Sequence, residues 1–581
     1  MRFRTYGWVQ NPGDFSKLKL TVQIFDSEST HYQNLRKKLV PDYIYFDEDK
    51  SRLLRKLRVN EEIFTYNELV GTSRNKDGKA SKKRADAVAN SLIQVTILPQ
   101  SVNTTGKRWT DNWTSDGYLR WAVSLNFVEV NRETDLFSIT ELGREFSKSE
   151  NDSMQEKMIL QKALLRYPPA TQVLNLLNIS GNSHTKFYIG EQLGFRGEKG
   201  FTSYNEELML NWLATEKETK ERTKIKNDVE GTSDKYARMI SGWLEKIGLV
   251  EKRSKKIETA NGKISSFLEY SITARGKHAI QQANGSSKNN RVQKFIMWEF
   301  LAVDAINSDY IRTRRAYILK FLQKTKSLTT LKEQLEVLGF NDDMKIIEND
   351  IQGLNYFGLR IWKKGNKVEL KDRLNDFSMP NISVTMALKN IEIENKKLAL
   401  LKRTNLPMKY IELIEIAHDG RNRSRDFEMI TADLFKNVYQ LKSVLLGGGR
   451  KPDGLVFTDE FGMIVDTKAY SEGYGKYIKQ ADAMIRYIQD NQLRDLERNP
   501  TGWWESFSPK IKNDQFYFLW VSSKFVGKFL EQLNYTASQT NTVGGALNVE
   551  QLLIGGGKVL SGELDKNDLP NYFNNKEIYF E

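Results

Sequence analysis

Three stretches in the first two-thirds of the chain repeat one order of features: an amphipathic helix ending in a Gly or Asn turn, an apolar strand, a charged hairpin and a second strand. The first is Leu119–Phe146 and the second Ile240–Ile280, and both close with the same string, Ser-Ile-Thr-x-x-Gly, at Ser138–Gly143 and Ser271–Gly276. The third, Ile347–Leu370, has the helix, a turn at Gly358 and a hairpin over Lys363–Lys367, but lacks that string. A helix followed by a two-stranded wing is the C-terminal half of a winged helix-turn-helix, whose helix enters the major groove while the wing touches backbone. Any single helix with a hairpin looks similar; three copies predict an α+β region of three winged-helix-like subdomains.

Charge separates this region from the rest. Up to Pro380 the chain holds 62 Lys+Arg against 48 Asp+Glu, and beyond it 26 against 26, so the whole formal excess of +14 lies before a plausible linker at Phe377–Asn381. Lys and Arg that displace condensed counterions give affinity for nucleic acid without sequence specificity, whereas basic surface that merely aids solubility is the bland alternative.

Some polar residues here have no packing rationale. In Asn227–Arg238 a loop and an N-cap, Thr232 or Ser233, open a helix carrying Lys235 and Arg238 at i, i+3, a pair placed for guanine edges or phosphates; Glu230 is placed to accept from cytosine. An ordinary solvated helix face fits that spacing equally. Gln10 and Asn11 stand in a Gln-Asn-Pro-Gly turn with amides suited to adenine, although a plain turn explains them too. Lys82-Lys83-Arg84 is ordinarily solvated charge, and Trp113 has stacking on DNA as one fate and core packing as the common one.

Chemistry concentrates in the neutral part, in GGGRKPDGLVFTDEFGMIVDTKAY (Gly447–Tyr470). Gly454–Thr458 and Met463–Asp466 read as strands joined by the polar turn Asp459–Gly462. That hairpin sets Asp453 at the start of one strand and Asp466 near the end of the next, with Lys468 on the same face as Asp466. Paired carboxylates suit Mg²⁺, a hard cation preferring oxygen ligands, which polarises a phosphodiester and lowers the pKa of a bound water. The adjacent lysine would orient or deprotonate that water and help neutralise the developing charge. The pattern, Pro-Asp, twelve residues, then Asp-x-Lys, is that of PD-(D/E)xK nucleases, although it also occurs by chance. Glu428, on a helix around Asp426–Phe435, reads as a further metal ligand, as an acid supporting the ligands from behind, or as a solvated carboxylate. Asp482 and Arg486, at i, i+4 on a downstream helix, read as an intrahelical ion pair or, on a two-fold axis, as partners exchanged between subunits.

What the chain lacks narrows the chemistry. It has no cysteine, which removes disulfides, zinc fingers and thiol nucleophiles, and its four histidines (His31, His184, His278 and His418) show no metal-binding spacing. Its N-terminus has no signal-peptide apolar stretch and no segment approaches a membrane span, so a soluble cytoplasmic protein is expected.

The strings YGWVQNPG (Tyr6–Gly13), DNWTSDGYLRWA (Asp111–Ala122), LGFRGEKGFTS (Leu193–Ser203), EGTSDKYARMISGWLEKIGLV (Glu230–Val250), YIRTRRAYIL (Tyr310–Leu319), RKPDG (Arg450–Gly454), VDTKAYSEGY (Val465–Tyr474), QADAMIRY (Gln480–Tyr487) and EQLLIGG (Glu550–Gly556) resemble, in order and along essentially the whole chain, the type IIS restriction endonucleases of the PD-(D/E)xK nuclease family. That resemblance implies a multidomain prokaryotic protein. Two DNA recognition subdomains occupy 1–150 and 151–286, a third subdomain making mainly protein contacts 287–376, a linker 377–385, and an α/β cleavage domain with a central mixed sheet flanked by helices 386–581. It implies Asp453, Asp466 and Lys468 as catalytic residues, with Asp453 and Asp466 holding Mg²⁺, and Asp482 and Arg486 as the pair through which two cleavage domains dimerise. It puts Gln10, Asn11, Arg84, Gln100, Trp113, Glu230, Lys235 and Arg238 at or near base contacts, with GGATG as the recognition sequence. The chain would be a monomer in free solution and a transient homodimer on double-stranded DNA, beside a cognate DNA methyltransferase. The Lys-rich stretch before Arg84 and the segment Ser183–Glu191 depart from the family pattern. Two other classes stay open on the residues alone: a winged-helix DNA-binding regulator whose C-terminal domain only oligomerises, and a strand-specific nickase.

Overall fold

The computed structural model describes residues 4–10, 12–81, 86–98, 111–198, 200–202, 204–216, 218–228, 233–258, 264–285, 291–303, 307–380, 391–475 and 478–580. Two compact units emerge: Met1–Glu198 with Lys235–Arg253 and Glu269–Met386, and Lys199–Asp234 with Ser254–Leu268 and Ala387–Glu581. Among the described residues no helix is long and apolar enough to cross a membrane.

Each repeated stretch forms a helix and then a hairpin. Helix Asn112–Ser124 leads to strands Val128–Asn131 and Leu136–Ile139, helix Ser233–Lys246 to Val250–Glu258 and Ile264–Ile272, and helix Met344–Phe357 to Ile361–Lys364 and Lys367–Leu370. The repeated string Ser-Ile-Thr-x-x-Gly has a packing role in both copies. Thr140 and Thr273 cap the helix after each hairpin, their hydroxyls accepting from the amides of Gly143 and Gly276, both at 3.0 Å. Those glycines let the helix lie against the carbonyl that precedes the first strand: a Cβ at Gly143 would come within 2.0 Å of Phe127 O, and one at Gly276 within 2.0 Å of Leu249 O. Caps of this kind stabilise a helix by about 1 kcal/mol.

The third repeat is fixed differently. Asp350, on its helix, is buried and accepts from Arg314 Nε at 2.6 Å and Arg315 Nε at 2.7 Å. Burial would raise its pKa, but the two guanidiniums outweigh that and hold it below the usual aspartate range. Removing one partner of such a buried set typically costs about 3–5 kcal/mol.

The second unit is built on a six-stranded mixed sheet, in the order Lys576–Glu577, Gly544–Asn548, Phe516–Ser522, Gly462–Lys468, Gly454–Phe457, Lys442–Leu445. The pairs up to Gly462–Lys468 are parallel and the last two antiparallel. Phe516–Ser522 (FYFLWVS) is almost wholly buried, as a central strand covered on both faces requires. Ile464, Phe518, Trp520 and Ala546 join Met484 and Ile488 of helix Ile478–Leu493 and Phe529 and Leu533 of helix Phe529–Thr540 in one core. Helix Gly420–Asn437 packs on three of the strands, and Val549–Ser561 on two more and on helix Ile391–Thr404.

Candidate active site

Strand pairing sets the site. Gly454 lies opposite Val465 in the antiparallel pair, so Asp453, one residue earlier, meets Asp466, one residue later. Asp466 is 5% exposed. Alternation puts Lys468 on its face, and Lys468 Nζ reaches Asp466 Oδ2 at 2.5 Å and Asp453 Oδ2 at 3.9 Å. Three further bonds hold the frame. Thr467 donates its amide to Asp453 Oδ2 at 2.7 Å and its hydroxyl to the same oxygen at 3.1 Å. On the neighbouring parallel strand Ser522, fully buried, donates its hydroxyl to Lys468 O at 2.6 Å.

Electrostatics follow from this crowding. Burial pushes Asp466 up to about 7; Lys468 opposes the rise, while Asp453, also hydrogen-bonded to it, reinforces it. Burial alone would lower Lys468, but Asp466 and Asp453 outweigh it and hold the ammonium above the ordinary lysine range. The two aspartates thus favour the ammonium form of Lys468 in the metal-free arrangement. Glu428, read from sequence as a further ligand, a supporting acid or a solvated carboxylate, is not solvated: it is largely buried and ion-paired with Arg425. Burial, then Asp453, push it up to about 8 against the pull of Arg425 and Lys468.

Among the described residues no group of three or more His, Asp or Glu is arranged to hold a metal ion. The donor set nevertheless fits a hard divalent cation. Two carboxyl groups in contact, one of them buried, resist ionising together until positive charge compensates, and Mg²⁺ commonly uses one or two protein carboxylates with substrate phosphate and water completing the shell.

The approach to Asp453 is held by residues far away in sequence. Trp212 Nε1, on helix Glu206–Thr215, donates to Leu446 O at 3.0 Å, Lys451 pairs with the buried Glu216 at 2.8 Å, and Asn499 donates to Arg450 O at 3.0 Å. Arg425 lies over the Trp212 ring at 4.9 Å, and Tyr204 OH donates to Asp426 at 2.6 Å. No local pattern pointed to these contacts.

Asp482 is exposed and Arg486 half-buried over the Tyr487 ring at 5.4 Å. Among the described residues no ion pair joins them, so the intrahelical pair offered by their spacing is not formed; the guanidinium is drawn to the ring. Trp113, for which core packing is the common fate, is 60% exposed. Gln10 donates to Tyr236 OH at 3.0 Å, Lys235 is half-buried and Arg238 exposed. Asn11, Arg84, Gln100 and Glu230 lie outside the described residues, as does Thr232; the described helix begins at Ser233.

Family comparisons extend this local picture to the whole chain. Residues 4–149 match the FokI recognition domain, subdomain 1; 156–287 its subdomain 2; 301–366 the FokI D3 domain; and 389–579 the FokI cleavage domain. The chain is 41% identical to the type II restriction enzyme FokI of Planomicrobium okeanokoites over 591 aligned residues, covering 100% of both chains. It is 32% identical to the type II restriction enzyme StsI of Streptococcus sanguinis, over 89% of this chain and 86% of that one. Among solved structures, restriction endonuclease FokI matches with a TM-score of 0.87 at 40% identity, covering 99% of this chain and 100% of that one. FokI bound to DNA matches with 0.89 at 40% identity, with both chains fully covered. Since identity at this level runs from end to end and takes in recognition and cleavage domains alike, the chain belongs to the FokI family of type II restriction enzymes, which are DNA endonucleases.

Proposed function

We propose that this restriction endonuclease binds an asymmetric duplex site, GGATG, through residues 1–376 and hydrolyses both strands at a fixed distance outside it, with Mg²⁺ as cofactor. The observation that carries the reading is the convergence of Asp453, Asp466 and Lys468 at one strand end of a chain 41% identical throughout to FokI. The concentration of net positive charge before Pro380 supports assigning DNA recognition there, in winged-helix-like subdomains over 1–150 and 151–286 with a third at 287–376. After a linker at 377–385, the cleavage domain occupies 386–581 and carries no net charge, so it gains little non-specific affinity for phosphates.

Asp453 and Asp466 would hold the cation, which when bound supplies Lewis-acid polarisation of the phosphodiester and a more acidic water. Thr467 fixes the Asp453 carboxylate against the strand bearing Asp466. Lys468, kept protonated by the two aspartates, neutralises charge that develops on the phosphoryl oxygens and orients the attacking water. Gln10, Asn11, Arg84, Gln100, Trp113, Glu230, Lys235 and Arg238 are assigned to DNA contact. Asp482, exposed and unpaired among the described residues, and Arg486 are assigned to a transient homodimer of cleavage domains on DNA, the free protein being a monomer. A methyltransferase protecting the same site in a prokaryotic cytoplasm completes the system.

The test is plasmid digestion with Mg²⁺ and end-mapping of the products. Ends at one constant offset from GGATG are expected, and Asp466→Ala should abolish cutting while leaving binding. Intact plasmid with tight binding would instead identify a winged-helix regulator, and cleavage retained by Asp466→Ala would overturn the metal-site assignment.

A further inference from the structure

The segment Arg74–Arg84 carries six cations and one carboxylate, and its first part is a small hydrogen-bonded hairpin. Arg74 bridges Ala80, Ser81 N donates to Ser73 O at 3.0 Å, and Asn75 N donates to Lys79 O at 2.9 Å. Inside the turn Asn75 Oδ1 accepts from the amides of Asp77 at 3.1 Å and Lys79 at 2.9 Å, while Gly78 takes the left-handed φ of +76° that the tight turn needs. The base of the hairpin is anchored. Arg74 Nη2 meets Asp49 Oδ2 at 2.7 Å with its guanidinium over the Phe46 ring at 4.6 Å, and Arg74 O accepts from Val88 N at 2.9 Å.

The tip carries two cations and one carboxylate, Asp77, and so keeps a net positive charge. Lys76 and Lys79 flank the turn, both are exposed, and neither has an ion-pair partner among the described residues. Ser73 Oγ donates to Asn112 Oδ1 at 2.5 Å, which ties the hairpin to the first turn of helix Asn112–Ser124, where Trp113 stands 60% exposed. The exposed indole, next in sequence to the Asn112 anchor, and the two ammonium groups at the tip of the turn anchored there give one part of the fold both a flat apolar face and positive charge. Duplex DNA offers both counterparts, since phosphates take the cations and an aromatic face packs on sugar or base. The bracing matters because a preordered arm loses little entropy on binding.

We propose that the hairpin Ser73–Ser81 is a phosphate-gripping arm, in which Lys76 and Lys79 contact the DNA backbone beside Trp113 and add affinity without reading sequence. The proposal rests on residues 1–376 being the DNA-binding part. The test uses the full chain carrying Asp466→Asn, so that DNA survives, and fluorescence anisotropy with a GGATG duplex and a scrambled duplex over a salt series. Lys76→Ala/Lys79→Ala should weaken binding to both duplexes by the same factor, roughly three- to tenfold near physiological salt. It should also flatten the plot of log affinity against log salt by about 2, while Lys76→Arg/Lys79→Arg restores both. An unchanged affinity and slope, with the parent binding normally, overturns the arm alone; so does a loss confined to the GGATG duplex, which would make these lysines sequence readers. A parent that binds neither duplex overturns the DNA-binding reading itself, and the arm with it.

Discussion

Thr467 donates to one oxygen of Asp453 twice, from its amide at 2.7 Å and from its hydroxyl at 3.1 Å. It stands between Asp466 and Lys468, so this link makes the position of one carboxylate depend on the strand that carries the other two site residues. A side-chain hydrogen bond of this kind contributes about 0.5–1.5 kcal/mol. Thr467→Val keeps the amide bond and loses the hydroxyl bond, and kcat for cleavage should fall about two- to tenfold with little change in DNA affinity. Thr467→Ser should recover most of it. Single-turnover cleavage beside a binding titration checks this; equal loss in both variants would show that the methyl group, through packing, is what matters.

The crowding of Asp466 also makes stability depend on pH in a defined direction. Its pKa is raised by folding, from an ordinary aspartate value to about 7, by burial and by Asp453. Between those values the folded state binds the extra proton, so its contribution is fully present at low pH and is lost as pH rises through about 7. Glu428, pushed up to about 8 by burial and Asp453, acts in the same sense with the loss displaced upward. In metal-free protein, Asp466→Asn should therefore gain thermal stability relative to wild type as pH rises from 5 to 8. Mg²⁺ should raise the wild-type melting temperature more at pH 8 than at pH 6 and leave Asp466→Asn unmoved. Calorimetry of the two proteins across that range decides; a constant difference would remove Asp466 as the titrating group.

Asp453, Asp466 and Lys468 were legible in the sequence because a short hairpin leaves little freedom. Two apolar runs separated by a polar turn fix the register, and alternation then dictates which side chains meet. The repeated Ser-Ile-Thr-x-x-Gly was visible as a marker of repetition, but its reason, a threonine cap with a glycine against a carbonyl, needed the fold. The contacts of Trp212 with Leu446 and Glu216 with Lys451 span more than 230 residues and follow no local period, so nothing nearby announces them. Arg425 and Glu428 stand at i, i+3, a spacing that permitted their pair without requiring it. Arg486 and Asp482 show the converse, since their spacing also permits a pair, yet the guanidinium turns to Tyr487.

Lys468 tests whether charge or proton transfer is the contribution of the third site residue. Held protonated by Asp466 and Asp453, it should act by charge, and removing one preorganised cation or donor from a developing anion typically costs about 100–1,000-fold in rate. Lys468→Met should show that loss in single-turnover cleavage with binding retained. Lys468→Arg, which keeps the charge but cannot serve as a base, should retain more activity than Lys468→Met. Equal inactivity of the two would favour a proton-transfer role or a demand for the shape of an ammonium.

Asp482 separates double-strand cleavage by paired domains from nicking by one. It is exposed on helix Ile478–Leu493, away from any ion pair among the described residues, so its replacement should leave the fold and the Asp453–Asp466–Lys468 site intact. If two cleavage domains meet through Asp482 and Arg486, Asp482→Ala should depress linearisation of a one-site plasmid by an order of magnitude or more. The loss should shrink as enzyme concentration rises, because mass action compensates a weakened interface. Asp482→Arg combined with Arg486→Asp should recover part of the activity by restoring the pair in reverse. A strand-specific nickase gives a different record: nicked circles accumulate, the rate is independent of enzyme excess, and Asp482→Ala behaves as wild type. Gel quantification of supercoiled, nicked and linear forms against time distinguishes the two outcomes in one series.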